Sequence, residues 1–234
     1  MAVVEDHHWW FRVRREIIAD QIRRLSLPSD ARILEAGCAS GGNLQMLAAF
    51  GQVSAFEMDD EARSRAQARG IGRVEAGSLP DAIPFGDEQF DLIVMLDVLE
   101  HLENDRVGLA AIVKRLKPGG LFLATVPAGQ ALWSRHDLLH HHFRRYERSQ
   151  VRKLISGSGL QVSNVSYFNT VLFPLIVAGR LWDRLMEDDR STALSIPPAP
   201  LNAALGAAFS LERLALSRAN LPFGSSLMAI GRAA

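Results

Sequence analysis

The run Ile33-Leu34-Glu35-Ala36-Gly37-Cys38-Ala39-Ser40-Gly41-Gly42-Asn43 places three glycines directly after a short apolar stretch. Glycine lets a chain bend sharply off a strand and lets backbone amides approach a ligand with no Cβ in the way. The helix expected from Leu44 points its N-terminal amides at the same spot, which favours a carboxylate or a phosphate. The spacing reads two ways. Gly37-x-Ala39-x-x-Gly42 is a degenerate dinucleotide fingerprint, whereas Glu35-x-Gly37-x-Ala39-x-Gly41 suits a different nucleotide. Glu57 follows 22 residues after Glu35, at the end of a second expected strand, where a carboxylate can accept both ribose hydroxyl hydrogens. That rewards a free 2′-hydroxyl and argues against NADP, while leaving NAD open. Asp59 and Asp60 read as helix-capping residues.

A second set of reactive side chains lies further on. His101 falls just after an apolar strand, where the mouth of an open α/β sheet lies, and an imidazole suits a general base at neutral pH. A capping or otherwise structural histidine is the alternative. The segment Trp133-Ser134-Arg135-His136-Asp137-Leu138-Leu139-His140-His141-His142-Phe143-Arg144-Arg145-Tyr146 is unusually loaded. On a helix His136 and His140 share one face and Asp137 would complete a metal triad, but nothing else supplies its surroundings, and no metal is assigned. Arg135, Arg144, Arg145, Arg148, Arg152 and Lys153 outnumber Asp137 and Glu147, which suits either an anion-binding cluster or a solvated basic face.

The elements that must position these groups alternate. Apolar residues from Trp10 to Leu25 recur at helical spacing, and Pro28 follows. Strands are expected at Arg32 to Ala36, Val53 to Phe56, Val74 to Ala76, Phe90 to Leu96 and Leu121 to Val126. Helices are expected at Leu44 to Ala48, Asp60 to Arg69 and Val107 to Leu116. Strand–helix alternation implies right-handed crossovers and a parallel sheet covered on both faces. Leu160 to Phe168 and Ser226 to Gly231 read as two more strands separated by about fifty residues. That insertion holds helical stretches at about 170–188 and 201–219 around the turn Ile196-Pro197-Pro198-Ala199-Pro200, read as a helical hairpin over the substrate mouth.

Composition bounds the rest. The chain has 234 residues, 48% apolar and 22% charged, as an ordinary globular domain does. With 26 basic and 26 acidic residues there is no global field to draw it onto nucleic acid, so none is expected as a partner. Cys38 is the only cysteine, which excludes an intrachain disulfide. No secretory signal or apolar span of about 20 residues is visible, so a cytoplasmic chain is expected, with contact to a membrane surface left open.

The ordered set Leu34-Glu35-Ala36-Gly37-Cys38-Ala39-Ser40-Gly41, Glu57, Gly77-Ser78-Leu79, Pro84-Phe85, Phe90-Asp91-Leu92-Ile93, Asp97-Val98-Leu99-Glu100-His101 and Leu116-Lys117-Pro118-Gly119-Gly120 resembles class I S-adenosylmethionine-dependent methyltransferases over roughly residues 30–128. The resemblance implies S-adenosyl-L-methionine as cofactor. It implies an α/β, Rossmann-like, doubly wound sheet of seven mostly parallel strands with an antiparallel last strand. It implies that Gly37, Cys38, Ala39, Gly41 and Asn43 line the methionine part, with Glu35 near its ammonium and the Leu96 carbonyl close by. Glu57 would hold the ribose, Gly77, Ser78 and Leu79 the adenine edge, and Met58 an adenine face. Ala39 departs from the family, which usually has its middle glycine there.

Trp-Ser-x-His-Asp followed by His-x-Arg-Arg-Tyr, with His7-His8-Trp9-Trp10-Phe11 upstream, resembles a bacterial methyltransferase subgroup of mostly unassigned substrate. That implies an acceptor region containing Trp10, Trp133, Asp137, Arg145 and Tyr146, with His101, His136 and His142 as catalytic candidates. The expected organisation is one domain: a lid at 1–29, a cofactor half at 30–128 and an acceptor half at 129–234, with the helical insertion at about 170–222. The expected reaction is methyl transfer to oxygen of a small-molecule or lipid-linked acceptor, anionic in one version, by a monomer or homodimer. Two alternatives stand beside it. One is an NAD-dependent oxidoreductase, for which no tyrosine–lysine pair is found. The other is a non-catalytic cofactor-binding or membrane-surface protein, using Leu172, Phe173, Leu175, Ile176, Leu181 and Trp182 as an apolar face.

Overall fold

Ile33 and Leu34, like Leu92 and Ile93, are adjacent in sequence yet fully buried on opposite faces of one sheet, because successive side chains of a strand alternate. Two apolar cores result. Ile33, Leu92, Val94 and Met228 pack with Val13, Ile17, Leu44 and Phe209 on one face. Leu34, Ile93, Phe122 and Leu227 pack with Leu109, Ile112, Val151 and Ile155 on the other. The computed structural model describes residues 2–186 and 196–234, and the side chains of Leu181 and Trp182 and the end of the helix expected at 170–188 lie outside the described ones.

The strands are β1 (Arg32–Ala36), β2 (Gln52–Glu57), β3 (Arg73–Ala76), β4 (Phe90–Leu96), β5 (Leu116–Pro127), β6 (Gln161–Phe168) and β7 (Ser226–Arg232). They form one sheet in the order β3-β2-β1-β4-β5-β7-β6. β7 runs antiparallel between β5 and β6, in the registers Ala124↔Ala229 and Val165↔Ala229. The antiparallel β7 differs from the all-parallel arrangement of the dinucleotide-binding sheet, which removes the fold-level support for an NAD oxidoreductase.

The helices are α1 (Ala2–His7), α2 (Trp9–Ile22), α3 (Leu44–Ala48), α4 (Asp60–Ala68), α5 (Asp105–Val113), α6 (Arg135–Leu139), α7 (Arg148–Gly157), α8 (Phe173–Met186) and α9 (Ala199–Leu216). Asp59 caps α4 by accepting the Ala62 amide at 2.8 Å, and Asn104 caps α5 through Val107 at 3.2 Å. The N-terminal segment breaks into two helices at His8, whose extended backbone and ring, accepting from Trp10 N, start α2 afresh.

The insertion forms two helices, as the sequence pattern predicts, but α9 lies mainly along α2 rather than over the sheet. Phe209 meets Trp9 edge-on at 5.8 Å, and Arg213 pairs with Glu16 and Asp20, each at 2.6 Å. Among the described residues no helix is long and apolar enough to cross a membrane.

Candidate functional site

β1 leads into a turn whose geometry explains its residue types. Gly37 has φ +72°, and a Cβ there would fall 2.9 Å from a Val98 methyl. Only glycine meets both conditions without strain. Ala39 also adopts a left-handed backbone, with φ +45°, which costs an alanine roughly 1–2 kcal/mol. The missing middle glycine is therefore accommodated by strain in the same conformation. The Ala39 amide donates to Glu57 Oε2 at 2.9 Å, while Glu57 Oε1 accepts the amides of Met58 at 2.9 Å and Asp59 at 3.0 Å. The turn after β1 and the acid after β2 are thus locked together.

Behind the turn, Glu35 is fully buried. One oxygen accepts from Asn43 Nδ2 at 2.8 Å, and the other has no partner among the described residues. Burial, opposed by the Asn43 bond, pushes its carboxyl up to about 7. Cys38 is buried, and burial raises its thiol far above the reactive range. Its place in the turn therefore rests on its backbone and small size.

An open cavity of about 680 Å³ lies over these groups. Its walls include Gly37, Ala39, Glu57, Met58, Gly77, Ser78 and Leu79, with Asp97, Val98 and His101 at the β4 end. Glu57, Asp59, Asp60 and Asp97 are its acidic lining groups, and no lysine or arginine is among them. Met58 is 74% exposed, which rules out a core methionine and leaves its side chain at the cavity edge. Glu35, Cys38, Gly41, Asn43 and Leu96 lie outside the lining. Gly41, at φ +77°, packs closely on Leu44 and Ala66, and Leu96 ends β4 with its side chain in the core.

The N-terminal helices close on this turn. Ser40 donates to Glu5 Oε2 at 2.6 Å, and Arg69 donates to the Ser40 carbonyl at 2.7 Å. Buried Arg14 reaches Asp97 at 2.7 Å and Thr125 at 2.8 Å, and Thr125 donates to Asp97 at 2.9 Å. Asp97 itself sits at φ +59°, a conformation these bonds hold in place. The sequence assigned no site role to Arg14 or Asp97. Their signals were available: Arg14 opens the buried stripe continued by Ile17, Ile18 and Gln21, and Asp97 is the first charge after an apolar strand. Trp10 is kept beside this group by its indole N–H, which donates to Asn169 at 3.1 Å.

The histidines assemble as a group. The His101 and His142 rings meet perpendicularly at 4.6 Å, and His136 stands 6.4 Å from His142 and 4.3 Å from His140. Burial first and the neighbouring His142 second lower His101 to about 4, so its imidazole is neutral near pH 7. Asp137 turns inward and is fully buried, taking His142 Nδ1 and Arg145 Nε at 2.9 Å each and the Ser134 amide at 2.9 Å. Although burial alone would raise it, the bonds from His142 and Arg145 hold its carboxyl well below the usual range.

These contacts alter three expectations. Asp137 is taken up by His142, Arg145 and the Ser134 amide, and among the described residues His136, Asp137 and His140 do not gather as a metal-holding group. Arg145 and Arg144 pair with Asp137 and Asp105, at 2.9 and 3.0 Å, so the basic run is not one anion cluster. The hydroxyl of Tyr146 is buried against the Leu99 carbonyl at 3.1 Å and Asp105 at 2.8 Å, which places Tyr146 as a brace behind the site rather than on its surface. Trp133 is half-buried at the start of the same segment, and exposed Leu138, Leu139 and Phe143 alternate with its histidines.

The sheet order, the glycine turn and the carboxylate after β2 define a class I S-adenosylmethionine-dependent methyltransferase fold. Residues 10–164 match the model of a methyltransferase domain family, and the chain belongs to that family. Over 164 residues it is 26% identical to a Mycolicibacterium smegmatis protein named "Probable S-adenosylmethionine-dependent methyltransferase", covering 68% of this chain and 62% of that one. It is 29% identical over 175 residues to the ubiquinone biosynthesis O-methyltransferase of Xanthomonas axonopodis pv. citri, covering 66% and 71%. Phosphoethanolamine N-methyltransferase 2 of Haemonchus contortus, solved with S-adenosyl-L-methionine, shares the fold with TM-score 0.60 and 17% identity, over 93% of this chain and 52% of that one.

Proposed function

We propose that the chain transfers a methyl group from S-adenosyl-L-methionine to an oxygen of a small-molecule or lipid-linked acceptor. The observation that carries this reading is one cavity bringing Gly37, Glu57 and Ser78 together with His101 at its β4 end. S-adenosylmethionine supplies a methyl group already activated by the sulfonium charge. The chain's residues fit it: an orphaned buried Glu35 oxygen suits an ammonium, and the turn at Gly37 leaves room that a Cβ would fill. Glu57 would accept ribose hydroxyls, while Gly77, Ser78, Leu79 and Met58 would border the adenine.

The chain's other task is alignment and, for a hydroxyl, proton removal. A neutral His101 can accept a hydroxyl proton or its hydrogen bond, with His136 and His142 behind it. Asp137 and Arg145 position His142, and α1 with α2 serves as a lid over the turn. The O-methyltransferase name of the Xanthomonas relative supports oxygen as the atom, and the exposed Leu138, Leu139 and Phe143 support an apolar acceptor body. Calorimetry with S-adenosylhomocysteine tests the reading. Binding is expected to weaken roughly 10- to 100-fold in Glu57→Ala, the worth of a charge-assisted hydrogen-bond pair. No heat with S-adenosylhomocysteine, alongside clear binding of NAD, would overturn it. Methyl transfer to phenolic but not amine acceptors would support the choice of atom.

A further inference from the structure

Glu100 is fully buried, yet among the described residues neither carboxylate oxygen has a hydrogen-bond partner. Such a group is normally paired, hydrogen-bonded or bound to a metal, because a bare carboxylate taken out of water loses its solvation with nothing in return. Its surroundings are specific. Ligand atoms of Glu100, His101 and His142 all lie within 4.8 Å of one another. The segment carrying His142 is fixed to Glu100 by the Phe143 amide, which donates to the Glu100 carbonyl at 2.8 Å. His142 Nδ1 is engaged by buried Asp137 at 2.9 Å, so Nε2 is the ring nitrogen that would ligate. A carboxylate holding the far nitrogen of a metal-binding histidine is a recurrent feature of metal centres, fixing both tautomer and ring orientation.

We infer that Glu100, His101 and His142 form a binding site for one divalent transition-metal ion at the β4 end of the cavity. Two imidazoles and one carboxylate suit borderline ions such as Zn²⁺ better than Mg²⁺ or Ca²⁺, which favour all-oxygen sets. A cation there supplies the partner the buried carboxylate lacks. Three protein ligands leave further coordination positions open, and His101 also lines the cavity.

On the methyl-transfer reading, those open positions would take the acceptor's oxygen. With His101 engaged as a ligand it would no longer serve as the proton acceptor, and the coordinated hydroxyl would give its proton to solvent. An oxygen lone pair then forms the bond to the methyl carbon, and the carbon–sulfur bond breaks with its electrons passing to sulfur. The binding site itself does not depend on that reading.

The test is titration of chelator-stripped protein with ZnCl₂ by calorimetry, with MgCl₂ in parallel and no cofactor present. One Zn²⁺ per chain is expected, bound at least 100-fold more tightly than Mg²⁺. His101→Ala, at the cavity wall and outside the apolar cores, and Glu100→Gln, which keeps the buried volume, are each expected to weaken Zn²⁺ binding at least tenfold while circular dichroism stays unchanged. Absence of stoichiometric Zn²⁺ binding, or wild-type affinity in His101→Ala, would overturn the site. Retained binding of S-adenosylhomocysteine in the same preparation would show that the cofactor reading survives that failure.

Discussion

The two ends of the cavity are built by different means. Around β1, β2 and β3 the backbone does the positioning: Gly37 and Ala39 take left-handed conformations, and Glu57 is held by three amides. At the β4 and β5 end the side chains do it. Arg14, Asp97 and Thr125 form one bonded group, and Ser134, Asp137, His142 and Arg145 form another. A backbone-made end presents the same amides whatever its neighbours are. A side-chain-made end can be re-cut for a different acceptor by changing a few residues, provided each buried charge keeps its partner.

If that contrast is right, damage to the side-chain end should be the more costly. Asp137→Ala strands the buried Arg145 guanidinium and is expected to lower unfolding free energy by about 3–5 kcal/mol, read from denaturant melts. S-adenosylhomocysteine binding at the far end should persist in whatever fraction remains folded. A loss under 1 kcal/mol would mean that the second bonded group is not what holds this end together.

Glu35 sharpens the comparison through pH. Its folded carboxyl stands at about 7 against an ordinary 4.5, so the folded state holds the proton more tightly than the unfolded one. Its contribution is therefore fully present below about pH 4.5 and is lost as pH rises to about 7. Across that window the wild type should lose about 3 kcal/mol relative to Glu35→Gln. Parallel stability curves for the two proteins would show that folding leaves the Glu35 carboxyl unshifted.

Smaller effects are expected from single hydrogen bonds and from strain. Trp10→Phe removes the indole bond to Asn169 and should cost about 1 kcal/mol, with faster hydrogen exchange in α2. Ala39→Gly relieves the left-handed alanine but adds freedom to the unfolded chain, so a net gain of at most about 1 kcal/mol is expected. A loss of stability in Ala39→Gly would show that the turn is less strained than its backbone angle implies.

The strands, their alternation, Asp59 as a cap and the acid at the end of β2 were legible because each is written in local residue types. Apolar alternation, a turn residue or an N-cap needs no distant partner to be recognised. The His8 break between α1 and α2 was less visible, since the aromatic run continues through it. The inward turn of Asp137, the bracing of Tyr146 by Asp105 and the docking of α9 on α2 were not legible. Each depends on a partner brought near by the sheet, and Arg213 and Asp20 are 193 residues apart in the chain. The sequence offered Arg144 and Arg145 as part of a basic face, because their acidic partners come from elsewhere.

The acidic lining of the cavity, in which Asp97 is paired with Arg14 and Asp60 with Arg63 while Glu57 is held by amides, bears on turnover. A negative field favours a ligand carrying a positive sulfur, and giving up the methyl group removes that charge. The spent thioether is then held less strongly than the fresh donor, so exchange of one for the other runs downhill. On the proposed methyl transfer, product inhibition should accordingly weaken as salt is lowered and the field reaches further.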